Sequence, residues 1–97
     1  MTIKVSTQFK KSMKKVKQNP RFKKKKFDDI LTMIMEKQPF PQSIKFHKVS
    51  PSSPKELQGM NIVHVAPNIC LIYKVEDDVL YLYDIGSHND TELTETF

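Results

Sequence analysis

The chain has little of what common catalytic and ligand-binding motifs are built from. It holds one cysteine, two glycines and three histidines in 97 residues. The lone Cys70 excludes an intrachain disulfide and fits a reducing compartment. It lies in the apolar run Ile69-Cys70-Leu71-Ile72-Tyr73, where a buried thiol is expected rather than a nucleophile. Glycine-rich phosphate loops, paired-cysteine zinc motifs and a His-Glu-x-x-His helix are all missing, so no cofactor is expected. Apolar runs stay well short of the ~20 residues of a membrane helix, and the lysine-rich start lacks the apolar stretch of a signal peptide. These absences lead us to expect a cytoplasmic protein without a membrane partner, and the length suits one domain over residues 1–97.

Acidic residues are absent from the first 27 positions. That segment carries eleven Lys or Arg, a charge of +11, whereas residues 28–97 carry five Lys and eleven acids, a charge of −6. Such asymmetry points to a polyanion, most often nucleic acid, since each cation placed on a phosphate releases condensed counterions. The bland alternative is a solvated helix face with no partner.

The pattern along the chain predicts an α+β domain with helices on one face of a sheet. Ile3 to Val5 reads as a short first strand. Phe9, Met13 and Val16 form a narrow apolar stripe on a lysine-covered helix from Thr7 to about Gln18. Asn19-Pro20 then reads as a helix cap and first helical position, opening a second helix whose stripe is Phe27, Ile30, Leu31 and Ile34. The pair should form an antiparallel hairpin. Pro39, Pro41, Pro51 and Pro54 mark an extended linker, with a short edge strand within Ile44 to Val49. Met60–Ala66, Ile69–Val75 and Val79–Ile85 then read as an antiparallel meander turned at Pro67-Asn68 and Asp77-Asp78.

His47, His64 and His88 remain as groups able to move protons near neutrality. On β-alternation His64 shares a face with Ile62 and Ala66, opposite Val63 and Val65. Each histidine alone is as well explained by an incidental surface or half-buried position.

The run from His64 through Pro67-Asn68 to Ile72-Tyr73-Lys74 resembles the central hairpin of YafQ-type toxins of the RelE/ParE superfamily. Ile85-Gly86-Ser87-His88-Asn89 is similar to their closing Thr-Gly-(Ser/Thr)-His motif. Phe40-Pro41 through Phe46-His47-Lys48-Val49 is similar to their Leu-Pro-…-His-Pro-Leu segment, and Leu57-Gln58-Gly59 to their approach to the next strand. All three histidines fall on histidine positions of the family. Two positions depart from it: Asn68 stands where an acid usually follows the turn proline, and Asn61 where an arginine is common. Ser50–Ser53 looks like an insertion, Asp90-Thr91 lengthens the tail, and Leu93 or Phe97 would serve as the hydrophobic C-terminal anchor.

The resemblance implies the toxin half of a type II toxin–antitoxin pair. It implies a metal-independent endoribonuclease that cuts mRNA on the ribosome through attack of a 2′-OH on the adjacent phosphate. In that reading His88 is the general acid, and His47 or His64 the base or phosphate stabiliser. Asn68 holds the position of a carboxylate that might share the base role. Lys10, Lys11, Lys14, Lys15, Lys23, Lys24, Lys25 and Lys26 would hold ribosomal RNA backbone or keep an acidic antitoxin docked. Rival readings are a non-catalytic binder of the ParE type acting on gyrase, a zinc protein using the three histidines, and a degenerate RNA-binding module.

Overall fold

The structure, a computed structural model, describes residues 2–41, 46–48 and 59–87, with His47 and Ser87 described by their backbone. The described chain runs β1 (Thr2–Val5), α1 (Thr7–Val16), α2 (Lys24–Met35), β2 (His47–Lys48), β3 (Asn61–Ala66), β4 (Ile69–Glu76) and β5 (Val79–Ser87). The strands make one sheet in the order β1-β5-β4-β3-β2. β1 lies parallel to β5, and every other neighbour is antiparallel. This is the expected α+β arrangement, with the helices on one face.

Helix α1 starts where Ser6 caps it, its Oγ accepting from the Phe9 N–H at 2.9 Å, which satisfies one of the free donors of the first turn. Its stripe lands as the spacing requires: Phe9 and Val16 are buried and Met13 packs against them. Phe9 stacks on Phe27 of α2 with ring centroids 6.4 Å apart, joining the two helices over the sheet. Val63, Val65, Leu71, Leu80, Leu82 and Ile85 meet them from the strands.

The second helix begins four residues later than Asn19-Pro20 suggests. Asn19 does use its side chain, but on a turn: its Oδ1 accepts from the Arg21 N–H at 2.9 Å and its carbonyl from the Phe22 N–H at 3.0 Å. That turn lays Phe22 against Phe27, 5.8 Å between centroids, before the helix opens at Lys24. An Asx turn and a helix cap draw on the same side-chain oxygen, so the sequence signal was real and its use different. The edge strand expected within Ile44–Val49 is seen at His47–Lys48, with Phe46 just before it outside the strand; residues 44, 45 and 49 lie outside the described residues.

Two irregularities break strict alternation. Between His64 and Ala66 the β3–β4 register shifts, and Ala66 joins the helix-side core with Ile69 rather than the face of Ile62 and His64. Between Ile72 and Tyr73 a second shift leaves Tyr83 as an extra residue in β5. Tyr83 packs with Met60, Ile62, Cys70 and Ile72 on the face away from the helices. Asp84, whose α-carbon pairs with Ile72, points the same way. The turns carry the left-handed residues such geometry requires: Asn68 at φ 63°, Asp77 at 52° and Asp78 at 61°. Gly59 leads into β3 at φ 81°, where glycine carries no steric cost.

Cys70 is fully buried, as its apolar neighbours imply. Burial pushes its thiol up from 9.0 to about 12, and the Tyr73 phenol from 10.0 to about 12. Each group therefore ionises in the unfolded chain at a lower pH than in the folded one. Stability from these groups is whole below pH 9.0 and is lost as pH climbs toward about 12. Urea midpoints measured from pH 8 to 11 should fall through that window, and fall less steeply in Cys70→Ala. A midpoint flat to pH 11 would remove this account of the buried pair.

Candidate active site

The sheet face away from the helices carries His64 toward one end of β3. His64, half-buried on β3, pairs its α-carbon with Cys70, which pairs with Gly86 on β5. His47 on β2 pairs with Ile62, two residues before His64. The two histidine backbones are thus diagonal neighbours on adjacent antiparallel strands, a relation that places α-carbons roughly 7–8 Å apart. His64 also engages another group.

The third position is approached from β5. Ser87 pairs with Ile69, directly after the Pro67-Asn68 turn. His88 follows Ser87 in sequence and itself lies outside the described residues, as do Leu93 and Phe97. The end of β5 is separated from β3 by one intervening strand, or two strand spacings of about 4.8 Å each. Asn68 sits exposed between them at the tip of the β3–β4 hairpin. Its positive φ after a proline is the pattern of a type II turn, whose third residue is most often Gly or Asn.

Beside that end of β5 is a cleft of about 250 Å³ between α1 and the sheet, lined by Gln8, Lys11, Ser12, Lys15, Val16, Ile85 and Gly86. Of the eight lysines singled out from sequence, Lys11 and Lys15 border it. Lys10 and Lys14 are exposed elsewhere on α1. Lys23, Lys24, Lys25 and Lys26 are exposed at the start of α2, and Lys24 pairs with Asp28 at 3.1 Å. No acid occupies the first turn of that helix. Ammonium groups there face the positive end of the helix dipole, an arrangement that costs stability unless an anion is near.

Asp84 was not anticipated. It is a buried carboxylate beside the site, and its Oδ1 accepts from the Ile85 N–H at 2.8 Å. It occupies the bulge in β5, and bulges recur next to functional sites because they re-aim side chains. A lone Asp in an apolar strand gives no residue-type signal that would find it. Among the described residues no three His, Cys, Asp or Glu side chains are grouped to hold a metal ion. No helix among them is long and apolar enough to cross a membrane.

Comparison with known proteins places this geometry. The model of the family described as the bacterial toxin of type II toxin–antitoxin systems, YafQ, matches residues 1–93. The chain belongs to the YafQ toxin family. Among solved structures, YafQ in the E. coli DinJ–YafQ complex is 31% identical, with a TM-score of 0.72 over 90% of this chain and 92% of that one. A metal-bound toxin from Helicobacter pylori is 25% identical, with a TM-score of 0.79 over 93% of this chain and 97% of that one. An E. coli YafQ mutant in which a histidine is replaced by glutamine is 28% identical, with a TM-score of 0.71 over 88% and 90% of the two chains. A search of curated proteins gives no match. The YafQ assignment from the histidine-bearing hairpin and the closing Gly-Ser-His run is thereby established.

Proposed function

We propose that this YafQ-family toxin is a metal-independent endoribonuclease that cleaves mRNA, with the ribosome presenting the substrate. The observation that carries the reading is the convergence at one sheet end: His64 on β3, Asn68 at the hairpin tip and the β5 terminus that leads into His88. In the reaction the ribose 2′-OH loses its proton to a base and its oxygen attacks the neighbouring phosphorus. The bond to the 5′-oxygen breaks, and a general acid protonates that leaving oxygen. His88 is the acid in this scheme, and His47 or His64 takes the proton from the 2′-OH or steadies the phosphate. Lys11 and Lys15, which border the adjoining cleft, would neutralise phosphate charge.

Lys10, Lys14 and the run from Lys23 to Lys26 serve in this scheme as contacts to ribosomal RNA backbone, which position without reading sequence. The first turn of α2 holds no acid, and beyond the Lys24–Asp28 pair a phosphate would relieve the lysine charge there. The partner that silences the toxin is a cognate antitoxin, by analogy with DinJ in the E. coli complex. β1 is an edge of the sheet, with Ile3 and Val5 exposed, and an added antitoxin strand would find open backbone groups there.

The test is cleavage of an mRNA in a translating extract, with purified toxin that has been dialysed against EDTA. Cleavage should persist at an unchanged rate after the chelator is removed and magnesium is restored for the ribosomes. Loss of cleavage that zinc or copper then restores would replace this reading with a metal-dependent one, a relevant outcome because the H. pylori relative is metal-bound.

A further inference from the structure

The same sheet face carries a second concavity at its other end. Lys4, Val5, Ser6, Met60, Lys74, Tyr81, Leu82 and Tyr83 line a cleft of about 300 Å³. The register explains its composition. Lys4 on β1 and Lys74 on β4 both pair with Tyr81 on β5, so all three side chains stand on one face. Tyr83, two residues on from Tyr81, shares that face by strand alternation and packs there with Met60. Two partly exposed phenol rings therefore sit between two lysines on an apolar floor that includes Met60.

We infer that Tyr81, supported by Tyr83, stacks a nucleobase of single-stranded RNA, while Lys4 and Lys74 hold the flanking phosphates. The inference rests on the ribonuclease reading above and extends it along the substrate. Aromatic rings interleaved with cations are what a sequence-tolerant single-strand site needs, because every base has a face to stack and every nucleotide a phosphate. The Lys74 ammonium lies 5.3 Å from the Tyr81 ring centroid and 3.4 Å from a Glu76 carboxylate oxygen. An incoming base takes the ring face from Lys74 and releases its ammonium to the phosphate beside it. Lys4 is exposed on β1, and no ion pair of its side chain is formed among the described residues. From Tyr81 to Gly86 is five residues of β5, roughly 15 Å along the strand. The platform would thus hold nucleotides a short way along the strand from the phosphate being cut.

The chain contains three tyrosines and no tryptophan, and Tyr81 and Tyr83 line this cleft while Tyr73 is buried, so a change in tyrosine emission reports on the cleft over a constant background. The probe is a short 2′-O-methyl RNA oligonucleotide, which has no free 2′-OH to attack and cannot be cut by the proposed route. The unaltered chain should bind it with quenching of tyrosine fluorescence. Tyr81→Ala should weaken binding by about 5- to 150-fold, the range of one stacked base. Tyr81→Phe should keep the affinity within about twofold while losing part of the quench, since phenylalanine stacks but is nearly dark. Tyr81→Ala should also raise KM for cleavage and leave kcat nearly unchanged.

Equal affinity for the unaltered chain and Tyr81→Ala, with circular dichroism showing both folded, overturns the platform and leaves the ribonuclease reading intact. So does a loss of antitoxin binding in Tyr81→Ala with RNA affinity retained, which would make this an antitoxin surface. No binding of RNA by the unaltered chain, with no cleavage either, overturns both readings together.

Discussion

Replacing His88 by alanine is expected to lower mRNA cleavage by about 10²–10⁴-fold, the usual worth of a positioned general acid. Ser87 pairs with Ile69, so β5 ends beside the Pro67-Asn68 turn and one strand away from β3, and His88 is the next residue in sequence. An imidazole has an unperturbed pKa of about 6.5 and is the side chain best matched to donating a proton near neutrality. The 5′-oxygen that leaves needs such a donor, so the acid form must be populated. Cleavage by the unaltered protein should therefore decline as pH rises above neutrality, and His88→Ala should lose that limb of the profile along with most of the rate. Growth arrest on induction should vanish while thermal unfolding and antitoxin binding stay as before. A His88→Ala chain that arrests growth as strongly as the original removes the acid from this position.

The second large effect is a gain. Asn68→Asp is expected to raise cleavage by a factor that could reach about 10²–10⁴ if the carboxylate takes the base role. An amide at this position accepts hydrogen bonds but does not take up a proton at pH 7. The substitution is also well suited as a test of chemistry. Asn68 holds φ 63° in an exposed turn, a conformation that Asn and Asp tolerate better than other residues with a Cβ. The hairpin that positions His64 should survive, as a circular dichroism spectrum and a urea midpoint would show. If Asn68→Asp folds normally and cleaves at the parental rate, the base lies elsewhere, and His47 and His64 become the pair to test.

The helices and the meander were legible in sequence wherever an apolar stripe had one period and nothing competed with it. Phe9, Met13 and Val16 placed α1, and Asp77-Asp78 placed the last turn, because those signals admit one local solution. The start of α2 was not legible, since Asn19 can spend its side chain on a cap or on a turn, and packing of Phe22 against Phe27 decided for the turn. Bulges defeated the alternation rule twice. Ala66 moved to the helix side, while Tyr83 and Asp84 came to share a face. One extra residue inverts every assignment beyond it, and a single sequence carries no mark of where it falls. The parallel pairing of β1 with β5 was equally hidden, because a four-residue strand does not specify its neighbour.

For the site, the histidines stood out by residue type and by family pattern. The lysines were visible as a charge run, but separating Lys11 and Lys15 from the other six needed the cleft beside Gly86. Tyr81 and Tyr83 share a face by simple alternation, but setting Lys4 and Lys74 beside Tyr81 needed the strand register. Residues that act through a shared face rather than through rare chemistry leave little trace in a linear pattern.

The central claim is that this YafQ-family chain acts by cutting mRNA during translation. Mapping RNA 5′ ends after brief induction, with and without a translation inhibitor, tests it most directly. New 5′-hydroxyl ends inside coding sequences, present in translating cells and absent after inhibition or in His88→Ala, are the predicted result. Growth arrest with intact transcripts and no new ends would contradict the claim and favour a toxin that acts by binding alone.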